Sequence, residues 1–560
     1  MSEAFTHAAG YKSVVMTVAD DEFSAVSEGR IRIRIGAFMF MFMMGIIVLR
    51  LAETSLLGEK QTRSTLPQAI TTTRADITDR NGEILATTLQ TYSLYAEPRK
   101  VWNVKESTQK LLTALPVLDP DVLEARLSAD VAFKWIARGL TPKERQAVFD
   151  LGLPGLSFRR EPKRVYPRGK LAAHVLGFSD SDMHGLAGAE KAFDRELSSE
   201  NTPPKALSID MRVQFALTDT LQKDKEKFDA KSAMSVLLDL KTGEIISMVS
   251  LPDFDPNAAG TASSENRYNH AAMSTYELGS VFKPITMALA LETETTSLTE
   301  KLPVHKPYKV SIKYIRDDHP SKTALAMPEI LAQSSNRGTS MMAMRAGGAA
   351  QRDLLGKLGL LERVPYELME SARPQVQAQW QDLTTVTVSY GHGISVTPLA
   401  LAGAVAAILN GGNYIVPTIL RRDASNPIKT RRIISKDTSQ AVADLMRYVV
   451  TNGTGRNARA EGYGVMGKTG TADKPAIGGY DEQRLVTSFV SGFPYHDPRY
   501  VLMVTFDEPK ALPTDHGFAT AGWNAAKTSK KIITRIGPIL GIKRQTASAQ
   551  AAFTAKEALP

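Results

Sequence analysis

Tyr276-Glu-Leu-Gly279-Ser280-Val-Phe-Lys283-Pro-Ile-Thr-Met-Ala-Leu-Ala-Leu291 is the stretch from which the rest of the chain can be read. A glycine lets the backbone turn abruptly, a serine follows, and a lysine stands three residues on. An apolar run with helical character then begins. A serine hydroxyl is a weak nucleophile until a base removes its proton. If Ser280 opens a helix, residues i and i+3 share one face, and the Lys283 amine can reach the hydroxyl. The helix N-terminus favours the negative charge that grows on the serine oxygen. Taken alone, the pair also reads as a helix cap followed by a solvated lysine. A chain this long holds about two Ser-x-x-Lys by chance, and Ser107-Thr-Gln-Lys110 is a second copy.

Two further triplets give the pair its meaning. Ser334-Ser-Asn336 lies in Leu331-Ala-Gln-Ser-Ser-Asn-Arg-Gly338, a polar break between apolar stretches. Lys468-Thr-Gly470 is flanked by Val465-Met466 and Thr471-Ala472 and reads as a strand edge lining a cleft. The copies of these triplets have plain structural readings. Lys241-Thr-Gly243 sits between two β-prone runs, where Gly243 suits the left-handed position of a hairpin turn. Ser-x-Asn also occurs at Ser199–Asn201 and Ser264–Asn266, both upstream of Ser280. Residues 280, 334 and 468 run in the order nucleophile, relay, anchor with gaps of 54 and 134 residues, and their surroundings agree. The chemistry expected of them is acyl transfer. Ser280 is the nucleophile and Lys283 the general base, its pKa lowered by burial and by a second cation, Lys468. Ser334 is the proton relay and Asn336 binds a substrate amide. Lys468 and Thr469 hold a substrate carboxylate, Gly470 allows close backbone approach, and the N–H groups of Ser280 and Thr471 form the oxyanion hole.

In this order the triplets resemble the penicillin-recognising serine transferases. The resemblance extends from Arg74 to about Leu540 and narrows to the class B penicillin-binding proteins of the division type. It also rests on Asp76-Ile-Thr-Asp-Arg-Asn-Gly-Glu-Ile-Leu-Ala86, Arg164-Val-Tyr-Pro-x-Gly-x-Leu-Ala-Ala-His174, Tyr390-Gly-His-Gly-Ile-Ser-Val-Thr-Pro398 and Lys468-Thr-Gly-Thr-Ala-Asp-Lys474. Leu278 stands where that family often has proline, and Ala189 where it has a branched residue before Glu190. The resemblance implies a peptidoglycan D,D-transpeptidase that cross-links stem peptides during septal wall synthesis and is inhibited by β-lactams. It implies no cofactor. It also implies a polytopic membrane glycan polymerase and other division proteins as partners. Elongation-type duty and an idle divisome scaffold are the competing readings. A β-lactamase has no need of a large non-catalytic domain, and a β-lactam sensor would need more cytoplasmic machinery than the N-terminal tail offers.

Composition narrows the field further. The chain has 560 residues, a formal net charge of +9 and no cysteine. Disulfides and thiolate metal sites are thereby excluded. The nine histidines show no metal-ligand spacing, and His392 reads as a structural loop residue. No basic stripe with interleaved aromatics argues for nucleic acid, while a basic chain suits an anionic envelope surface. Ile35 to Leu49 is an unbroken apolar run. It is short against the roughly 20 residues of a spanning helix, but Arg34 and Arg50 can snorkel. Arg30, Arg32 and Arg34 place the N-terminus in the cytoplasm.

The expected organisation is a cytoplasmic tail (1–34), a transmembrane helix (35–52) in the bacterial inner membrane and a linker (53–73). A mixed α/β pedestal (74–205), an extracytoplasmic α+β transpeptidase domain (206–540) and a disordered tail (541–560) come after it. The catalytic domain is expected to carry helices on either side of one antiparallel sheet.

Overall fold

The computed structural model describes residues 34–49, 74–199, 201–423, 427–476 and 479–545. The expected tail before residue 34, the linker and the last residues of the chain lie outside them. Residues 34–49 are helical, and their apolar side chains are exposed, Phe38 by 69 %. Among the described residues no helix is long and apolar enough to cross a membrane. The expected span to residue 52 runs beyond them.

From Arg74 on, the chain first builds a small sheet. Its strands are β1 (Ile77–Thr78), β2 (Ile84–Ala96), β3 (Lys134–Leu140), β4 (Leu156–Val165) and β5 (Lys205–Ala206). Asn81-Gly82 makes the turn between β1 and β2: Ile77 pairs with Ala86 antiparallel, and Gly82 has φ +90°. Asp79 fixes that turn by accepting from Asn81 N and Glu83 N, and its other oxygen accepts from Met211 N. One aspartate therefore ties the turn to the first helix of the next domain. The strand β5 pairs in parallel with β1 and straddles the boundary expected at residue 206.

Three charged residues, two of them in the quoted motifs or at their edges, meet in one buried cluster. Glu190 is fully buried and accepts from Arg74 Nε at 2.6 Å and from Arg164 Nε at 2.7 Å. A buried carboxylate needs such partners, because losing its hydration costs several kcal/mol. Tyr166 N donates to Asn257 Oδ1, and Asn257 Nδ2 donates back to Tyr166 O. The Arg-Val-Tyr-Pro segment is thus stitched to the catalytic domain.

The catalytic domain is organised on an antiparallel sheet of β6 (Ser232–Asp239), β7 (Ile245–Leu251), β8 (Met466–Ala476), β9 (Gly479–Phe493) and β10 (Tyr500–Asp507), in the order β8-β9-β10-β6-β7. Its main helices are α1 (Met211–Lys227), α2 (Lys283–Glu292), α3 (Met327–Gln333), α4 (Asn336–Ala346), α5 (Pro398–Leu409), α6 (Lys436–Asn452) and α7 (Ala525–Ile536). The sheet is covered on both faces where β6, β7 and β10 run, and these three strands are buried along their whole length. Along β10, Tyr500, Leu502, Val504 and Phe506 face the α1–α7 layer, while Val501 and Met503 face the core around α5. This period of two is what a strand between two cores requires. The helix α5, Pro-Leu-Ala-Leu-Ala-Gly-Ala-Val-Ala-Ala-Ile-Leu, is apolar all round and almost wholly buried. The Lys241-Thr-Gly243 copy is the β6–β7 turn, with Gly243 at φ +73°.

The first residues of the expected C-terminal tail fall within the described residues. Residues 541–545 are seated on the domain. Gln545 N donates to Gly462 O, and the Arg544 guanidinium lies 5.4 Å from the Tyr463 ring centre. A cation over an aromatic face holds a segment whose composition looks irregular.

Candidate active site

The turn at Ser280 is tighter than the expected helix start. Gly279–Phe282 is a 3₁₀ turn, and α2 begins at Lys283. In a 3₁₀ turn side chains at i and i+3 eclipse. Ser280 and Lys283 are therefore stacked, with Lys283 Nζ donating to Ser280 Oγ at 2.9 Å. Gly279 is required twice over. Its φ is +62°, and a Cβ there would lie 2.8 Å from Thr471 O. Behind it Gly391, at φ +83°, carries a carbonyl that accepts from Gly279 N, and a Cβ on Gly391 would lie 2.1 Å from Gly279 O. The Tyr390-Gly-His-Gly393 loop is thus the backing of the nucleophile turn.

Ser334 and Asn336 come in at a break between helices. α3 ends with Ser334 in the left-handed conformation at φ 58°, Ser335 caps α4 by accepting from Gly338 N, and α4 starts at Asn336. The break points both side chains at Lys283. Ser334 Oγ, Ser334 O and Asn336 Oδ1 lie 3.0, 2.5 and 2.8 Å from Lys283 Nζ, which shares at most three N–H among these acceptors and Ser280 Oγ. Asn336 Nδ2 donates to Arg316 O, which leaves one amide hydrogen for a ligand.

Lys468 lies on β8, the edge strand of the sheet, as the flanking residues imply. It is fully buried and donates to Ser334 Oγ at 3.0 Å and to Thr469 O at 2.9 Å. Ser334 Oγ therefore stands between two lysines. Thr469 Oγ1 lies 2.8 Å from Thr454 Oγ1. At Gly470 a Cβ would lie 2.5 Å from Leu278 O and 3.0 Å from Val281 N, so the edge strand rests directly on the nucleophile turn. Thr471 Oγ1 accepts from Ala521 N. All eight residues singled out from sequence thus gather at one place.

The electrostatics differ from expectation in one respect. Burial pulls Lys283 down to about 7, and Asp317 and Asp318 oppose the shift. The neighbouring lysine acts in the other direction of the pair: Lys468 is lowered well below the ordinary value by burial first and by Lys283 second. Burial, not the second cation, is what lowers Lys283. The two aspartates were not legible from sequence. Asp317 accepts from Ser335 Oγ at 2.8 Å and from Arg337 N at 2.9 Å, bracing the start of α4. The signal was an acidic pair, Asp317-Asp318, in a polar loop, which has no special meaning until the loop is folded beside Lys283. Glu277 and Tyr480, which meet beside the nucleophile turn, carry no sequence signal either.

Away from this site, Ser107 and Lys110 lie on the helix Val104–Ala114, where Lys110 pairs with Glu106 at 2.7 Å. Among the described residues no group of acidic and histidine side chains could hold a metal ion.

Known proteins share this arrangement. The penicillin binding protein transpeptidase domain matches residues 233–533, and the penicillin-binding protein dimerisation domain matches residues 69–202. A probable peptidoglycan D,D-transpeptidase FtsI of Caulobacter vibrioides is 41 % identical, over 88 % of this chain and 86 % of that protein. The peptidoglycan D,D-transpeptidase FtsI of Escherichia coli K12 is 30 % identical over 81 % of this chain and 82 % of its own. Penicillin-binding protein 3 of Mycobacterium tuberculosis, crystallised with aztreonam, superposes with a TM-score of 0.67 at 25 % identity, covering 85 % of this chain and 97 % of that one. With the triplets, the edge strand and the N-terminal domain in place, the chain belongs to the penicillin-binding protein transpeptidases and is a serine peptidoglycan D,D-transpeptidase.

Proposed function

We propose that Ser280 forms the acyl-enzyme and that Lys283 and Ser334 carry the protons. Ser280 Oγ attacks the carbonyl of the penultimate D-Ala of a stem peptide while Lys283 Nζ takes its proton. The tetrahedral oxygen is held by the N–H groups of Ser280 and Thr471. The C–N bond to the terminal D-Ala breaks, and the leaving amine takes a proton through Ser334. The amine of a neighbouring strand then attacks the ester, forms the cross-link and returns the proton to Ser280. Asn336 donates its free amide hydrogen to the substrate backbone. Lys468 supplies positive potential, and Thr469 and Gly470 border the substrate carboxylate. β-Lactams acylate Ser280 by the same route and stay bound.

The single observation that carries this reading is the unbroken chain of polar contacts from Ser280 Oγ through Lys283 Nζ to Ser334 Oγ and Lys468 Nζ, with steps of 2.9, 3.0 and 3.0 Å. The decisive experiment is labelling with a fluorescent penicillin, followed by mass spectrometric mapping. Ser280→Ala is expected to take no label; a label retained elsewhere in the site overturns the assignment.

The cell biology is that of the relatives. The chain acts in septal wall synthesis, anchored in the inner membrane by residues 35–52, with the N-terminus cytoplasmic and residues 74–540 outside. A polytopic glycan polymerase meets the anchor. The apolar run and the arginines before it support this topology. A fluorescent fusion gathered at mid-cell in dividing cells is the expected result, and one spread along the side wall would favour elongation duty.

A further inference from the structure

The hairpin formed by β8 and β9 meets the nucleophile turn at two points. At its base the contact is Gly470 against Leu278 O and Val281 N. Farther out, a bulge between Asp473 and Lys474 shifts the register, so that Lys474 faces Asp481 and Pro475 faces Tyr480. A bulge bends its strand and re-aims the residues beyond it. Lys474 ties the middle of the arm to Asp507 and Glu508 at 2.9 and 2.8 Å. Past that tie, Tyr480 OH donates to Glu277 Oε2 at 3.0 Å, and its ring lies 5.7 Å from that of His392.

Glu277 stands three residues before Ser280, and its side chain is only 10 % exposed. Its second oxygen accepts from Gly393 N at 2.9 Å, and His392 Nδ1 lies 3.4 Å from the first. One carboxylate thus joins three segments: the nucleophile turn, the 390–393 loop that backs it, and the far end of the hairpin. The mechanism above gives it no chemical task. Its distance in sequence from Ser280 is too short for it to be a remote stabiliser, and its partners are the very segments that border the cleft.

We propose that Glu277 is a positioning residue for acylation and that Tyr480 is its latch, holding the hairpin arm against the nucleophile turn so that the cleft is formed before substrate enters. The inference rests on Ser280 as nucleophile. The two bonds of Glu277 divide the work. The bond to Gly393 N sets the backing of Ser280 and bears on the acylation step. The bond from Tyr480 sets the arm and bears on substrate binding.

The test uses the full-length protein in detergent, with a fluorescent penicillin as probe, and separates the half-saturating concentration from the first-order acylation rate at saturation. Tyr480→Phe keeps the ring and loses the hydroxyl. It is expected to raise the half-saturating concentration by about five- to tenfold, as losing one ordinary hydrogen bond does, and to leave the first-order rate within about twofold. Glu277→Ala is expected to impair both. Glu277→Gln is expected to restore both to near wild-type values, because its carbonyl can accept from Gly393 N while its amide donates to the phenol oxygen. An unchanged half-saturating concentration in Tyr480→Phe overturns the latch. A Glu277→Gln protein as impaired as Glu277→Ala overturns the positioning role, since the charge and not the bonds would then be what matters. Mapping the label in each variant keeps the two readings apart: a label found off Ser280 refutes the nucleophile, whereas a correctly placed label with unchanged constants refutes only the latch.

Discussion

At the scale of single residues, the two buried lysines are chemically alike, and the proposal gives them opposite tasks. Lys283, at about 7, exchanges its proton near neutrality. Acylation is therefore expected to rise about tenfold per pH unit below that point and to level off above it, which a stopped-flow series of acylation rates from acid to alkaline buffer would show. Arginine stays charged at any working pH and cannot accept a proton. Lys283→Arg is accordingly expected to lose acylation nearly as fully as Lys283→Ala, by more than about a hundredfold. Lys468→Arg is expected to be milder, because potential survives without deprotonation. Near-equal losses in the two arginine variants would refute the division of roles. The same burial has a consequence for stability. A lysine whose folded pKa is lowered makes the unfolded chain bind the extra proton between about 7 and 10.5, so stability rises with pH across that window. Thermal unfolding of wild type is expected to gain more from pH 7 to pH 10 than that of Lys283→Met; parallel curves would contradict it.

At the scale of elements, the site depends on how closely an edge strand lies on a turn. Gly470 is not in the left-handed region; it is needed because backbone atoms of Leu278 and Val281 occupy the place of its Cβ. Gly470→Ala should force the edge strand away from the nucleophile turn, at a cost of about 1–3 kcal/mol for overpacking. A large fall in acylation with only a modest fall in melting temperature is expected. Gly82→Ala serves as the control, since Gly82 has φ +90° but open space around it, so it should lose stability and keep acylation. Wild-type acylation in Gly470→Ala would show that the strand can retreat freely. The elements themselves were readable from sequence in good part. The hairpin turn at Lys241-Thr-Gly243, the apolar run that becomes α2 and the strand edge at Lys468 all carry local signals. The 3₁₀ turn at Ser280 does not, because its choice over an α start depends on Gly391 and Thr471 pressing on Gly279 from distant parts of the chain.

At the scale of the whole molecule, the pedestal and the catalytic domain are joined by specific polar ties rather than by a bare linker. The Arg74–Glu190–Arg164 cluster holds the N-terminal domain's own core. Arg164→Met is expected to destabilise the protein by about 3–5 kcal/mol by leaving part of a buried charge unpaired, measured as a loss in denaturant midpoint. An undiminished midpoint would mean that Arg74 alone satisfies Glu190. Deleting residues 1–52 is expected to leave penicillin binding intact, because the proposed acylation residues all lie beyond residue 206, and to abolish support of division in complemented cells. A deletion protein that still supports division would remove the anchor from the proposal.

What the sequence determined by itself was the family and an ordered set of candidate residues for its chemistry: a serine, two lysines and a proposed relay. Nucleophile, base and relay have to be particular residue types at short spacings, and short spacings are visible in a string. It also carried the layered α+β plan, because strands buried on two faces and a helix buried all round leave continuous apolar runs. What only the tertiary structure decided was contact between segments far apart in the chain. That Lys283 owes its low pKa to burial, that Asp317 and Asp318 temper it, that Gly391 backs Gly279, and that Tyr480 reaches Glu277 are all such contacts. Desolvation and close approach depend on where the whole chain folds, and no local pattern records them.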